Sequence, residues 1–386
     1  MEKIAGRVIS TILKHDTKVT SYKIALLRSI NDVVMSFPDI TSSGRDVAIP
    51  LRILAKYWFA YYWPFFDDGE FILQGPRSFR YGRYNNDMSF RGSLEIFRNE
   101  WSKSVRLSNN PSEGFFIINE LSIARKRNTY PLQLLNLYND AIKKISHTIN
   151  MPIRHAGVGQ WAVFERPKKY ANLRYRCIGV PGTRNTDTCV VVSKDLWNGF
   201  IDMSLYIEAL CIHEWSIFTE NKNLGTIYER GYIYRLLTER PDNRRPLTWE
   251  RNQIDILLME DKVFICPWTE KTIKNNISYD LDHLIPVSVY PINDLWNLVP
   301  SDPYFNSHSK RNRIPNPEKL DRAQPHLGLA YTNYLTLPST AQAIQEDAKN
   351  RFANILPETL SFPDALSASV VNYIKQVADA RNIARF

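Results

Sequence analysis

The sequence predicts an α+β protein: a mainly helical N-terminal region carrying a small antiparallel sheet, then a short strand, loop, strand and helix unit, then a helical tail. Three observations predict it. Apolar residues recur at helical spacing through most of the first and last parts of the chain. Residues 151–198 alternate apolar and polar positions between Gly and Pro punctuation, as a small antiparallel sheet does. Residues 279–315 place polar groups of catalytic type inside an apolar, strand-like pattern. At 386 residues the chain is long for one domain and natural for two or three. The expected boundaries are 1–240 for a recognition or regulatory region, 250–318 for the unit with the polar groups, and 319–386 for the tail. The charged, proline-punctuated run ERPDNRRPLTWERNQ is the best linker.

Taken in order, 4–13 and 22–35 read as helices, with Ser21 before the second and Ile24, Leu27, Ile30 and Val34 along one face. Residues 39–48 read as a polar loop. Pro50 opens a helix in which Tyr57, Trp58, Phe59, Tyr61, Tyr62, Trp63, Phe65 and Phe66 crowd together, a pattern better explained by burial than by base stacking. The following arginine-rich loop offers Arg77, Arg80, Arg83 and Arg91 to a nucleic-acid backbone or simply to solvent. Residues 94–105 and 131–149 read as helices joined across FFIINEL, an expected strand. The sheet region carries the basic residues Arg166, Lys168, Lys169, Arg174, Arg176 and Arg184, the leading candidates for DNA contact outside the catalytic stretch. A helix or helix pair is expected over 195–219, then helices over 228–237 and 249–259 and a strand over 263–266. Beyond the catalytic stretch, NPEKLDRAQPHLG reads as a loop, and helices follow over 341–355, after Ser339, and over 366–377.

Within YDLDHLIPVSVYPINDLWNLVPSDPYFNSHSKRNRIP, Asp282 and His283 lie together in a first strand, and Asn297 lies in the middle of a second over 295–299. Ser301 or Asp302 can cap the helix that follows, on which Asn306, Lys310 and Arg313 share a face. Phosphodiester hydrolysis suits these groups. A neutral imidazole at His283 would take a proton from water. A divalent metal on Asp282 and the amide oxygen of Asn306 would stabilise the leaving oxygen. Asn297 would bridge the loop or hold the imidazole, and Lys310, Arg311 and Arg313 would neutralise phosphates.

These residues resemble the HNH, or ββα-metal, nucleases: the D-H pair of YDLDHLIP, the N of DLWNLVP and the last N of FNSHSKRNRIP occur in that order and at familiar separations. The resemblance implies a ββα-metal nuclease core with His283 as general base, Asn297 as the orienting residue and Asp282 and Asn306 as ligands of one catalytic Mg²⁺, or Mn²⁺. His308 is the second choice to Asn306. Two residues along a helix turn by about 200°, so the two cannot both face one metal. The resemblance also implies hydrolysis of DNA to 5′-phosphate and 3′-hydroxyl ends. More loosely, YKIALLRSINDVV, IPLRILAKYWFAYYWPF and LYIEALCIHEW are similar to bacterial HNH proteins of restriction or phage-defence type. Mobile-element or homing nucleases, a toxin DNase and a DNA-binding protein without catalysis are the alternatives.

Composition agrees with a polyanionic partner. The formal charge is +9, and double-stranded DNA fits both charge and motif. Cutting both strands would call for two copies of the site, as in a homodimer. Cys177, Cys189, Cys211 and Cys266 form no close pair, so neither a structural zinc nor a disulfide framework is expected, and the reading is a cytoplasmic chain without membrane spans.

Overall fold

The computed structural model describes residues 2–66, 71–77, 79–80, 83–84, 87–104, 111–157, 163–239, 247–287, 289, 293–352 and 360–386. The chain divides into two compact units, Met1–Pro241 and Asp242–Phe386. Both are mixtures of helix and short strands in which helix dominates, an α+β arrangement. No described helix is long and apolar enough to cross a membrane.

The first unit is built on the helices Tyr22–Ser36, Leu51–Tyr62 and Leu132–His155. The aromatic run is interior, with Trp58, Phe59, Tyr62 and Phe65 fully buried. Rings such as Phe59 and Phe97 meet edge to face, 5.3 Å between centroids. Arg91 is corrected from a backbone-gripping candidate to a core residue. It is 1% exposed, and its guanidinium bonds the Asp87 carboxylate and the carbonyls of Phe65 and Ile72, so four of its five N–H donors are taken inside the core. The side chains of Arg80 and Arg83 lie outside the described residues.

The small sheet differs from expectation. Its strand order is Lys168–Lys169, Thr188–Val192, Asp46–Pro50, Cys177–Gly179, and the strand Asp46–Pro50 comes from the segment read as a loop. That strand pairs antiparallel with Thr188–Val192 but parallel with Cys177–Gly179, so the sheet is mixed. Four consecutive buried residues, Val47 to Pro50, lack the alternation that marks a half-exposed strand. FFIINEL lies in a helix, Glu113–Glu120. A Cβ at Gly114 would stand 2.7 Å from the Trp63 Cβ, so the glycine lets this helix pack directly on the aromatic one.

In the second unit a strand pair, Asp280–His283 with Leu298–Ser301, lies against the helices Pro317–Thr336, Pro338–Phe352 and Phe362–Ala380. The expected loop NPEKLDRAQPHLG is the first half of Pro317–Thr336. Asn316 caps it, its side chain accepting from the Lys319 N–H at 2.8 Å, and Pro317 occupies the first turn, where a missing N–H costs nothing. Pro325 lies inside the helix, held there by burial of Leu320, Leu327, Tyr331 and Tyr334.

Candidate active site

The strand pair sets the frame. Leu298 stands opposite His283, Val299 opposite Asp282 and Ser301 opposite Asp280. The second strand therefore begins after Asn297, which belongs to a 3₁₀ turn, Leu295–Asn297, and not to the middle of a strand. Asn297 is fully buried and extends the ladder with its side chain: Oδ1 accepts from the Ile285 N–H at 2.9 Å, and Nδ2 donates to the Ile285 carbonyl at 3.3 Å. It bridges the loop and does not touch the imidazole. Trp296 is core, edge-on to Phe352 and Tyr373.

The imidazole is held instead by Asn293, which the sequence reading did not single out. His283 Nε2 lies 2.8 Å from Asn293 Oδ1. With the amide oxygen accepting, Nε2 carries the proton and Nδ1 is the basic atom. Burial lowers the His283 pKa below the usual imidazole value. The Lys310 charge adds to the shift, while Asn293 and Asp282 oppose it without reversing it, so the ring is neutral near pH 7.

Asp282 is 4% exposed and both its oxygens are engaged. Oδ2 accepts from the Trp268 indole N–H at 2.8 Å and Oδ1 from the Lys310 ammonium at 2.8 Å. Lys310 also donates to the His283 carbonyl at 2.7 Å and is itself 1% exposed. Lys310 is thus corrected from a phosphate contact to the buried counterion of Asp282.

A local device turns Lys310 inward. Asp302 caps the short helix Pro303–Phe305, accepting from the N–H groups of Tyr304 and Phe305, and the chain then widens into a π turn, Asn306–Lys310, closed by Arg311 N–H to Asn306 O at 2.9 Å. Arg311 ends the turn at φ 50°, a left-handed conformation uncommon outside glycine.

Asn306 faces Asp280, donating from Nδ2 to Oδ2 at 3.1 Å. Asp280 shares a strand face with Asp282, two residues on, a spacing that could have flagged it. His308 is exposed and stacked on Tyr304, centroids 4.3 Å apart, with Nδ1 donating to the Tyr304 carbonyl. Arg313 is half-buried over the Phe386 ring at 5.7 Å, and of Lys310, Arg311 and Arg313 only Arg311 is exposed.

Among the described residues no group of three or more His, Cys, Asp or Glu side chains is placed to hold a metal ion. Fewer protein ligands suffice for a hard cation such as Mg²⁺, which keeps waters and substrate oxygens. Asp280, Asp282 and the Asn306 amide are all oxygen donors. Each carboxylate offers about four acceptor directions, of which the N–H donors at Asp282 take two. The donor set fits a hard divalent cation and gives no purchase to a soft one. Cys266 is buried and its sulfur accepts the Asp302 N–H at 3.3 Å, a packing role.

In the first unit, Arg166, Lys168, Lys169, Arg174 and Arg176 are all exposed. Glu165 pairs with Arg176 and Lys168 and reduces the charge they present.

Two families match the chain. The one described as HNH endonuclease matches residues 266–316, which span Cys266 through the strand pair and π turn to the Asn316 cap. The match supports an HNH nuclease domain, and with it nuclease activity on DNA. A family described as a domain of unknown function (DUF8808) matches residues 2–237. No curated protein and no solved structure matches the chain. Since that second match covers more than half of its length, the chain belongs to the DUF8808 family, with an HNH endonuclease domain following the shared region.

Proposed function

We propose that the protein is a metal-dependent DNA endonuclease in which His283 is the general base, leaving 5′-phosphate and 3′-hydroxyl ends. The observation that carries this reading is the state of the imidazole: recessed, neutral, with Nε2 fixed by Asn293 and Nδ1 left as the proton acceptor. A base must be unprotonated at working pH and held in one orientation, and this histidine meets both requirements. Water would lose its proton to Nδ1 as its oxygen attacks phosphorus.

Asp282 and Asn306, with Asp280 beside them, would hold Mg²⁺, or Mn²⁺, which when bound supplies positive charge at the scissile phosphate and the leaving 3′ oxygen. Asn297 keeps the loop after His283 closed, Lys310 balances the Asp282 charge, and Arg311 reaches a neighbouring phosphate. The exposed basic residues Arg166, Lys168, Lys169, Arg174 and Arg176 add phosphate contacts from the first unit. We place the enzyme in restriction or phage defence, with a mobile-element role as the alternative. A unit this small has few side chains with which to read sequence, so the DUF8808 region would supply recognition or regulation.

The test is cleavage of supercoiled plasmid and of phage DNA of differing modification by the purified chain, with Mg²⁺ or EDTA, beside His283→Ala. Discrete fragments lost in EDTA and in the variant support the whole reading. Smeared products keep the chemistry and remove sequence-specific restriction. Binding without cleavage under every condition would leave a DNA-binding protein.

A further inference from the structure

The segment after the helix Phe362–Ala380 takes no part in the chemistry above, yet it is tied closely to the site. The helix ends in a Schellman turn. Asn382 adopts a left-handed conformation at φ 48°, the Ile383 N–H donates to the Ala378 carbonyl at 3.0 Å, and the Asn382 N–H donates to the Asp379 carbonyl at 3.3 Å. The chain then runs parallel to the segment that leaves the π turn. The Ile314 N–H donates to the Ala384 carbonyl, the Phe386 N–H to the Ile314 carbonyl and the Asn316 N–H to the Phe386 carbonyl, each at 3.0 Å. These main-chain bonds join segments distant in the sequence and fix where the Phe386 side chain falls.

The half-buried Phe386 ring reaches the support of both Asp282 and Asn306. It meets Trp268 edge to face, 5.9 Å between centroids, and Trp268 donates its indole N–H to Asp282 Oδ2 at 2.8 Å. It meets Phe305 edge to face at 5.6 Å, and Phe305 is the residue before Asn306. The Lys319 ammonium and the Arg313 guanidinium lie over the same ring at 4.7 and 5.7 Å. Asp282 stands on a strand and Asn306 on the π turn, so neither element alone sets the spacing between them. A ring in contact with the neighbours of both does.

We propose that Phe386 is a positioning residue for the divalent-metal site, holding Asp282 through Trp268 and Asn306 through Phe305 at one spacing. The inference rests on the reading of Asp282 and Asn306 as metal ligands, and adds what keeps them in register. Groups that touch no metal but orient its ligands set the affinity of a site, because a cation is held only where its donors already converge. Plain packing would ask only for an apolar group at this position. The edge-on contacts and the two cations on the ring faces call for an aromatic one.

The test uses the full chain carrying His283→Ala, so that metal binding is read without turnover, with Mn²⁺ as the probe and the free ion followed by electron paramagnetic resonance. Phe386→Ala is expected to weaken Mn²⁺ binding about tenfold, the low end of what losing an outer support of a ligand costs. Phe386→Tyr keeps the ring and should restore it. Trp268→Phe loses only the indole N–H and should also weaken binding, and the double variant should lose less than the product of the two effects, since both act on Asp282. A second readout needs no metal: in ¹⁵N-tryptophan spectra of the metal-free chain, Phe386→Ala should speed hydrogen exchange at the Trp268 indole and leave the Trp296 indole, bonded to Asp294 in the same unit, at its original rate. Equal acceleration at both indoles with Mn²⁺ binding unchanged would make Phe386 a packing residue and overturn the inference. An unmoved Trp268 indole would overturn it whatever the metal does. Selective acceleration at Trp268 in a chain that binds no Mn²⁺ would keep the brace on Asp282 and overturn the metal-site reading instead.

Discussion

Replacing Lys310 by Met removes the ammonium that balances Asp282 while keeping most of the side chain's volume. The two side chains are 2% and 5% exposed, so water cannot take over the lost interaction. Asp282 would keep the Trp268 N–H and lose its buried cation, and the His283 carbonyl would lose its donor. Breaking a buried pair on one side costs about 3–5 kcal/mol. For a unit of this size that corresponds to roughly 10–16 °C in melting temperature. The assay is urea unfolding of the full chain, followed by hydrogen exchange so that the second unit is read separately. Asp282→Asn with Lys310→Met should recover part of the loss, with a coupling of about 1–3 kcal/mol in a double-mutant cycle. An exposed phosphate contact behaves in the opposite way. If Lys310→Met left stability within about 1 kcal/mol and weakened DNA binding alone, the buried-counterion assignment would be refuted.

Four further outcomes are expected. Asn297→Ala leaves the Ile285 N–H and carbonyl buried without partners, at a cost of about 2–4 kcal/mol, and should speed hydrogen exchange at Ile285. Unchanged exchange there would remove its bridging role. The His283 pKa is lowered in the fold, so cleavage should be level above the ordinary imidazole pKa of about 6.5 and fall only below it, as pH drops through the folded value. The same group contributes to stability in the same direction: the unfolded chain takes up its proton first, so stability declines as pH falls below about 6.5. Asn293→Ala removes a bond that raises that pKa, so the acid limb should move to lower pH while kcat falls; an unmoved limb would make Asn293 a packing residue. EDTA should abolish cleavage, with Mg²⁺ and Mn²⁺ restoring it. Rescue by Zn²⁺ alone would contradict the all-oxygen donor set.

Much of the helical architecture was legible because its signals are local. Helical spacing of apolar residues placed Tyr22–Ser36 and Leu51–Tyr62 to within a residue or two, and the Asp302 cap could be read from a polar residue standing before a proline. The order and spacing of Asp282, His283, Asn297 and Asn306 carried the nuclease reading in the same way.

What only the tertiary structure decided depends on partners distant in the chain. Asp46–Pro50 is a strand because Cys177–Gly179 and Thr188–Val192 flank it, and no property of its own residues announces that. FFIINEL suits a strand by composition, yet its first six residues lie in the helix Glu113–Glu120, which packs through Gly114 against Trp63. Lys310 reads as one more surface cation, and becomes a buried counterion because the π turn points it at a carboxylate on a strand. Nothing in the sequence marked Asn293; the folded loop brings its amide to His283. Periodicity and caps are properties of neighbouring residues. The partner of a buried charge or amide is a property of packing, which sequence alone does not specify.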